Sequence, residues 1–271
     1  MYPPYLLVES HNAHGGMMHS SNPILPILAV VFPIVLALIN IYVGKIEWIN
    51  RIIPQHRWIS LGAGVSIAYV FLDILPELSI AQEEIEESGL MWLSFLEKHA
   101  YLLALVGLAL FYGLELLAHQ SRRVNREESG EDATSQGVFW VHIGAFAIYN
   151  ALIGEFFSNT EEKGLIPATL LFVALALHFL INDRGLRHHH KKPYDRIGRW
   201  ILAGSLMTGW IVGISFHLPQ AFLAVLWGLL AGGLILNVLK EELPDTKESC
   251  FPAFTMGAAV YAILLLSIRV H

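Results

Sequence analysis

The sequence predicts an all-α membrane protein: a bundle of eight transmembrane helices, in which helices one to three and six to eight form an inverted repeat flanking helices four and five. Three observations carry this. At 55% hydrophobic and 15% charged residues, the chain of 271 is too apolar for a soluble domain. It divides into eight runs close to the roughly 20 residues needed to cross a hydrocarbon core of about 30 Å. Two stretches 168 residues apart, Gly62–Glu77 and Leu230–Asp245, also align without a gap. Ala63/Ala231, Gly64/Gly232, Ile67/Ile235, Val70/Val238, Leu75/Leu243 and Pro76/Pro244 are identical, and Asp73/Glu241 and Glu77/Asp245 pair acid with acid.

The eight runs are 24–43, 59–79, 100–118, 138–157, 165–183, 199–217, 220–239 and 251–268. Backbone N–H and C=O groups must be satisfied inside each segment in lipid, so each run is read as a helix and residues 24–271 as one transmembrane domain. The second and seventh runs contain the repeat. Residues 80–99 form an outer acidic connection, either a loop or in part a surface helix. Residues 119–137 are hydrophilic, a mobile divider between helices three and four, and residues 183–198 contain His188, His189, His190, Lys191 and Lys192. Glycines are frequent in the spans and fit ordinary close helix crossing.

Orientation follows the basic residues. With the N-terminus outside, 14 of the 17 Lys and Arg fall in inner loops, leaving Lys98, Lys163 and Arg269 outside. Both termini are then outside, in a plasma or bacterial inner membrane. Residues 1–23 carry no Lys or Arg and read as an outer tail, leaving the first helix as an uncleaved targeting signal. Cys250 is the only cysteine, so no internal disulfide or multi-thiolate metal site is available. The basic residues follow topology, which leaves nothing to indicate nucleic-acid binding.

Ionisable groups at membrane depth are costly and mark a pathway or a site. Asp73 and His178 lie deepest; Glu77, Glu115, Glu155 and Asp183 lie near span ends, and His142 stands on helix four. His178 and Asn182 are four apart and share a helix face, as do His142, Tyr149 and Asn150 at offsets of seven and eight. If these faces meet, His178, Asn182, Asn150 and Asp73 converge near mid-bilayer as a nitrogen and oxygen set able to hold a divalent cation transiently. The tail residues His11, His14 and His19, with Met17 and Met18, either collect metal ions at an entrance or form a plain polar tail. The triplet His188–His190 either receives ions on exit or is an ordinary charged loop.

Eight helices, outside termini, a central polar pair and helices ending in Leu-Pro-Glu or Leu-Pro-Asp together resemble the ZIP family of divalent-metal transporters, over residues 24–268. The family's second helix ends in a His-x-x-Pro-Glu-like stretch; here Asp73-Ile74-Leu75-Pro76-Glu77 puts an acid in the place of the His. Against the fourth-helix pattern His-Asn-x-x-Glu-Gly the chain has Tyr149, Asn150, Ile153 and Gly154, keeping the Asn and Gly. In the fifth helix His178 matches, Asn182 and Asp183 stand near family ligand positions, and the proline is missing.

The resemblance implies transport of divalent cations by alternating access, zinc first, with iron, manganese or cobalt also in range. The metal is cargo, so no bound cofactor is expected. Metal contacts are implied for His178, Asn182, Asn150, Asp183 and Asp73, with Glu77, His142 and Glu155 along the pathway. Partners are the ion and the lipid bilayer, with a homodimer left open. Two other readings compete. One is a non-transporting relative acting as scaffold or sensor, suggested by Tyr149 and Ile153 in ligand positions. The other is an intramembrane metal-dependent hydrolase using His142, His178 and His217 with Asp73. No His-Glu-x-x-His or Gly-x-Ser-x-Gly stands in the chain to supply its base or nucleophile, and an enzyme is not expected.

Overall fold

The computed structural model describes residues 23–42, 44, 55–87, 100–158, 164–216, 218–242 and 250–269, and every regular element among them is a helix. Helix α1 is Leu25–Tyr42. Helix α2 joins Gln55–Tyr69, a π-helical turn at Val70–Ile74, and Leu75–Glu87. Helices α3, α4 and α5 are Ala100–Ser129, Gln136–Phe156 and Leu165–His190. Helix α6 is a π-turn at Tyr194–Gly198 running into Arg199–Ser215, α7 is Gln220–Asn237 with a π-turn at Val238–Glu242, and α8 is Phe251–Arg269.

Seven of the described helices, α1 to α7, are long and apolar enough to cross a membrane; Phe251–Ser267 is a shorter apolar segment. Burial agrees with a membrane protein. Large apolar side chains such as Leu105, Leu110, Ile148 and Ile263 point outward, while Asn40, His142, Asn150, His178, Asp183, His189 and His190 are buried. A soluble domain buries its apolar residues and rarely buries so many polar ones.

Three helix pairs cross at backbone distance: α2 with α8, α3 with α7, and α4 with α6. A Cβ on Gly154 would lie 2.0 Å from the Leu206 carbonyl oxygen, and one on Gly209 would lie 1.8 Å from that of Ala151. Only glycine permits this approach from both sides of the α4–α6 crossing. The main core joins Phe32 and Leu36 of α1, Tyr69 and Ile74 of α2, Tyr149 and Ile153 of α4, Leu175 and Phe179 of α5, Leu206 of α6 and Leu234 of α7.

The π-turn in α2 has a local cause. Pro76 has no N–H and its ring crowds the carbonyl four residues back. Widening the helix relieves this, and the Leu75 N–H bonds the Val70 carbonyl, five residues earlier. The π-turn of α7 likewise comes two residues before a proline, Pro244.

Three hydrophilic stretches differ from their reading as connections: α2 already continues through residues 80–87. Most of 119–137 is helical, since α3 continues to Ser129, and the remaining connection is tied down. Thr134 N–H bonds the His189 carbonyl at 3.2 Å, Ser135 N–H bonds Ser121 Oγ at 2.7 Å, and Asn125 Nδ2 bonds the Ala133 carbonyl at 2.9 Å. The histidine triplet forms the last turn of α5. The chain then reverses through Lys191, whose φ of 51° lies in the left-handed region, and Pro193.

Candidate functional site

Of the groups on the polar faces of α4 and α5, Tyr149 and His178 touch through their side chains. The Tyr149 hydroxyl lies 2.9 Å from His178 Nε2, both residues being buried. His178 is 12 residues from the end of α5, about 18 Å at 1.5 Å per residue, near the middle of that helix. The other groups expected to converge there have partners elsewhere. Asn150 Nδ2 donates to the Phe146 carbonyl at 2.8 Å, and its Oδ1 accepts from Asn40 Nδ2 of α1 at 3.0 Å. Asp73, in the α2 π-turn, accepts from the Tyr261 hydroxyl of α8 at 2.8 Å. Asn182 is half-buried one turn beyond His178.

Asp183 is buried within a network at the C-terminal end of α5. It accepts from Arg187 Nη2 at 3.0 and 3.2 Å and from the Tyr194 hydroxyl at 2.7 Å. Arg187 also pairs with Asp195. Nearby, Arg199 Nη1 bonds the Ile41 carbonyl at 3.1 Å and satisfies the end of α1. Glu77 and Glu155 are half-buried toward the opposite end of the bundle. His11, His14, His19 and His217 lie outside the described residues.

Among the described residues, a dense collection of titratable groups stands where the ends of α3, α5 and α7 meet the start of α4. His142 Nδ1 is 2.9 Å from His190 Nε2, and His190 Nδ1 is 2.6 Å from Thr134 Oγ1. His189 Nε2 lies 2.8 Å from Glu115 Oε1, which is also 3.2 Å from His119 Nε2 and 3.3 Å from Lys240 Nζ. His188, on the exposed side, takes Arg122 Nη1 at 3.0 Å. Arg122 is itself buried and binds Asp132 at 2.7 Å, and Arg126 and Lys191 reach the same carboxylate. Hydrogen bonds from Arg126 and Arg122 hold the Asp132 carboxyl well below the usual carboxylate range.

Among the described residues, Glu115, His119 and His189 form the one group of three metal-type side chains whose ligand atoms all lie within 4.8 Å of one another. From sequence alone Glu115 is an acid near a span end, and His119 falls in a stretch read as a connection. The signal was available: Glu115 and His119 are four apart, one turn of a helix that continues past the apolar run.

Comparison of the chain with protein-family models, with curated proteins and with solved structures finds no match.

Proposed function

We propose that this chain carries divalent metal cations across a membrane in the manner of the ZIP transporters it resembles, with zinc the first expected cargo. The observation that carries this reading is the file of buried polar groups in α4 and α5. It runs from Tyr149, Asn150 and His178 through Asp183 to His142, His189 and His190, inside helices whose outer faces are apolar. Polar groups buried in a membrane bundle are expensive and mark pathways. Tyr149 and His178, aligned with metal-ligand positions of the resembling motifs, lie in hydrogen-bond reach of each other.

In this reading α8 is an eighth span, both termini are outside, and the protein resides in the plasma or inner membrane. Helices α1–α3 and α6–α8 are inverted repeats that rock about α4 and α5. The two π-turns support the repeat, because Val70–Ile74 and Val238–Glu242 fall in the same register of the 168-residue alignment. Gly64 and Gly232, aligned in sequence, support it too. Each would drive a Cβ into the backbone of the third helix of the other half, at Phe254 and Ala104 respectively.

Cells expressing the protein should accumulate Zn²⁺, or another ion of a panel with Fe²⁺, Mn²⁺ and Co²⁺, above vector controls. Substituting His178→Ala should reduce that accumulation on the order of tenfold or more. No accumulation of any of these ions by cells with folded protein at the membrane would reject the reading.

The second reading is a scaffold or sensor of the same architecture that moves no ion. It is favoured by the way the mid-bundle groups engage one another: Asn150 with Asn40, His178 with Tyr149, Asp73 with Tyr261. Its cellular role should survive His178→Ala.

A further inference from the structure

We propose that Glu115, His119 and His189 bind a divalent cation of the zinc type at the α3–α5 end of the bundle, and that Lys240 competes with that cation for the Glu115 carboxylate. One carboxylate and two imidazoles form a donor set suited to Zn²⁺ or Co²⁺, leaving a fourth position for water. The helix supplies two of these ligands, because Glu115 and His119 lie one turn apart on α3. The third comes from the last turn of α5, which the bond from Thr134 N–H to the His189 carbonyl secures to the α3–α4 connection.

The distances fit. A tetrahedral ion with ligands at 2.0–2.1 Å spaces them about 3.3–3.4 Å apart. Glu115 Oε1 is 3.2 Å from His119 Nε2, already close to that value, and 2.8 Å from His189 Nε2, an edge that lengthens by about 0.5 Å when an ion enters. The third is at most 4.8 Å and closes through movement of His119, whose side chain is 55% exposed. Glu115 is 12% exposed and His189 only 4%, so the other two ligands are held by packing.

A plain ion-pair network would use these groups differently. His189 is 4% exposed, yet its Nδ1 has no hydrogen-bond partner while its Nε2 faces Glu115. Groups selected only to pair with one another normally satisfy such atoms.

Lys240 adds a sign to the prediction. Its Nζ lies 3.3 Å from the same Glu115 oxygen, and Lys240 belongs to the π-turn that ends α7. An ammonium and a divalent ion on one oxygen repel each other, so the ion displaces the lysine from the carboxylate. By linkage, the Lys240–Glu115 pair weakens metal binding by the same factor that metal binding weakens the pair. The site therefore couples ion occupancy to the end of α7. It is about 16 Å along α5 from His178 and does not depend on ions crossing the membrane.

The test is Co²⁺ binding to the purified full chain in detergent, followed by absorption spectroscopy and by competition with Zn²⁺. All proteins carry His178→Ala, so that an ion at mid-bundle is not scored. The parent should bind one equivalent with the intense visible bands of four-coordinate Co²⁺. Glu115→Gln and His119→Ala should each weaken that equivalent about tenfold or more. Lys240→Gln should tighten it about threefold or more. Because His119 is exposed, His119→Ala keeps the test sound even if Glu115→Gln fails to fold. Absence of the four-coordinate spectrum, or its persistence at full strength in His119→Ala, overturns the site. Unchanged or weaker binding in Lys240→Gln overturns the competition. Neither result depends on the outcome of the uptake experiment, which reads His178.

Discussion

At Asn150 both halves of the amide are committed, one to the preceding turn of α4 and the other to Asn40 of α1. Hydrogen bonds between membrane helices average about 0.6 kcal/mol and reach about 1.7 kcal/mol, because the separated helices also find partners. A double-mutant cycle of Asn40→Ala and Asn150→Ala should therefore give a coupling energy of about 1 kcal/mol. Reversible unfolding in detergent measures it; additive single effects would show that the two amides do not depend on each other. Local spacing grouped His178 with Asn182 on one face of α5 and Tyr149 with Asn150 on one face of α4, but only the structure shows His178 and Tyr149 in contact. Spacing had no means of finding Asn40, 110 residues away, or Tyr261 as the partner of Asp73. Nor could it see that Asp183 is enclosed by Arg187 and Tyr194, a cage made by the reversal of the chain between α5 and α6.

The helices themselves were legible where lipid contact dictates composition, and less so at their ends. Hydropathy reports which residues can face hydrocarbon, and it falls away at about residue 118. Helix formation does not stop there. The stretch Ser121–Ser129 is rich in Arg and Glu, good helix formers, and Arg123 and Glu127 pair one turn apart at 3.7 Å. That extension gives His119 its helical register with Glu115. Helix crossing follows a different rule, set by which glycines meet backbone. Gly154→Ala and Gly209→Ala should each destabilise the fold by about 1–3 kcal/mol through overpacking of the α4–α6 crossing. Gly144→Ala in α4 and Gly204→Ala in α6 should be neutral, since nothing lies within 4 Å of a Cβ at either position. Thermal unfolding of the four variants checks this; equal losses in all four would deny that the crossing is the cause.

For the whole molecule, the sequence repeat and the α2 and α7 π-turns point the same way, since the widened turn recurs at matching positions ahead of Pro76 and Pro244. The resemblance to metal transporters concentrates attention on the middle of α4 and α5. Among the described residues, the one close group of three metal-type side chains instead stands where α3, α5 and α7 end, with His142 of α4 beside it. In the proposed transport reading, passage belongs to His178 and capture or release to Glu115, and the two are separable by mutation. The transport reading is tested most directly by uptake of Zn²⁺, Fe²⁺, Mn²⁺ and Co²⁺ into sealed proteoliposomes of the native protein and of His178→Ala. Saturable uptake of at least one ion by the native protein, strongly reduced in the variant, is the expected result. Well-folded native protein that admits none of the four ions would contradict it.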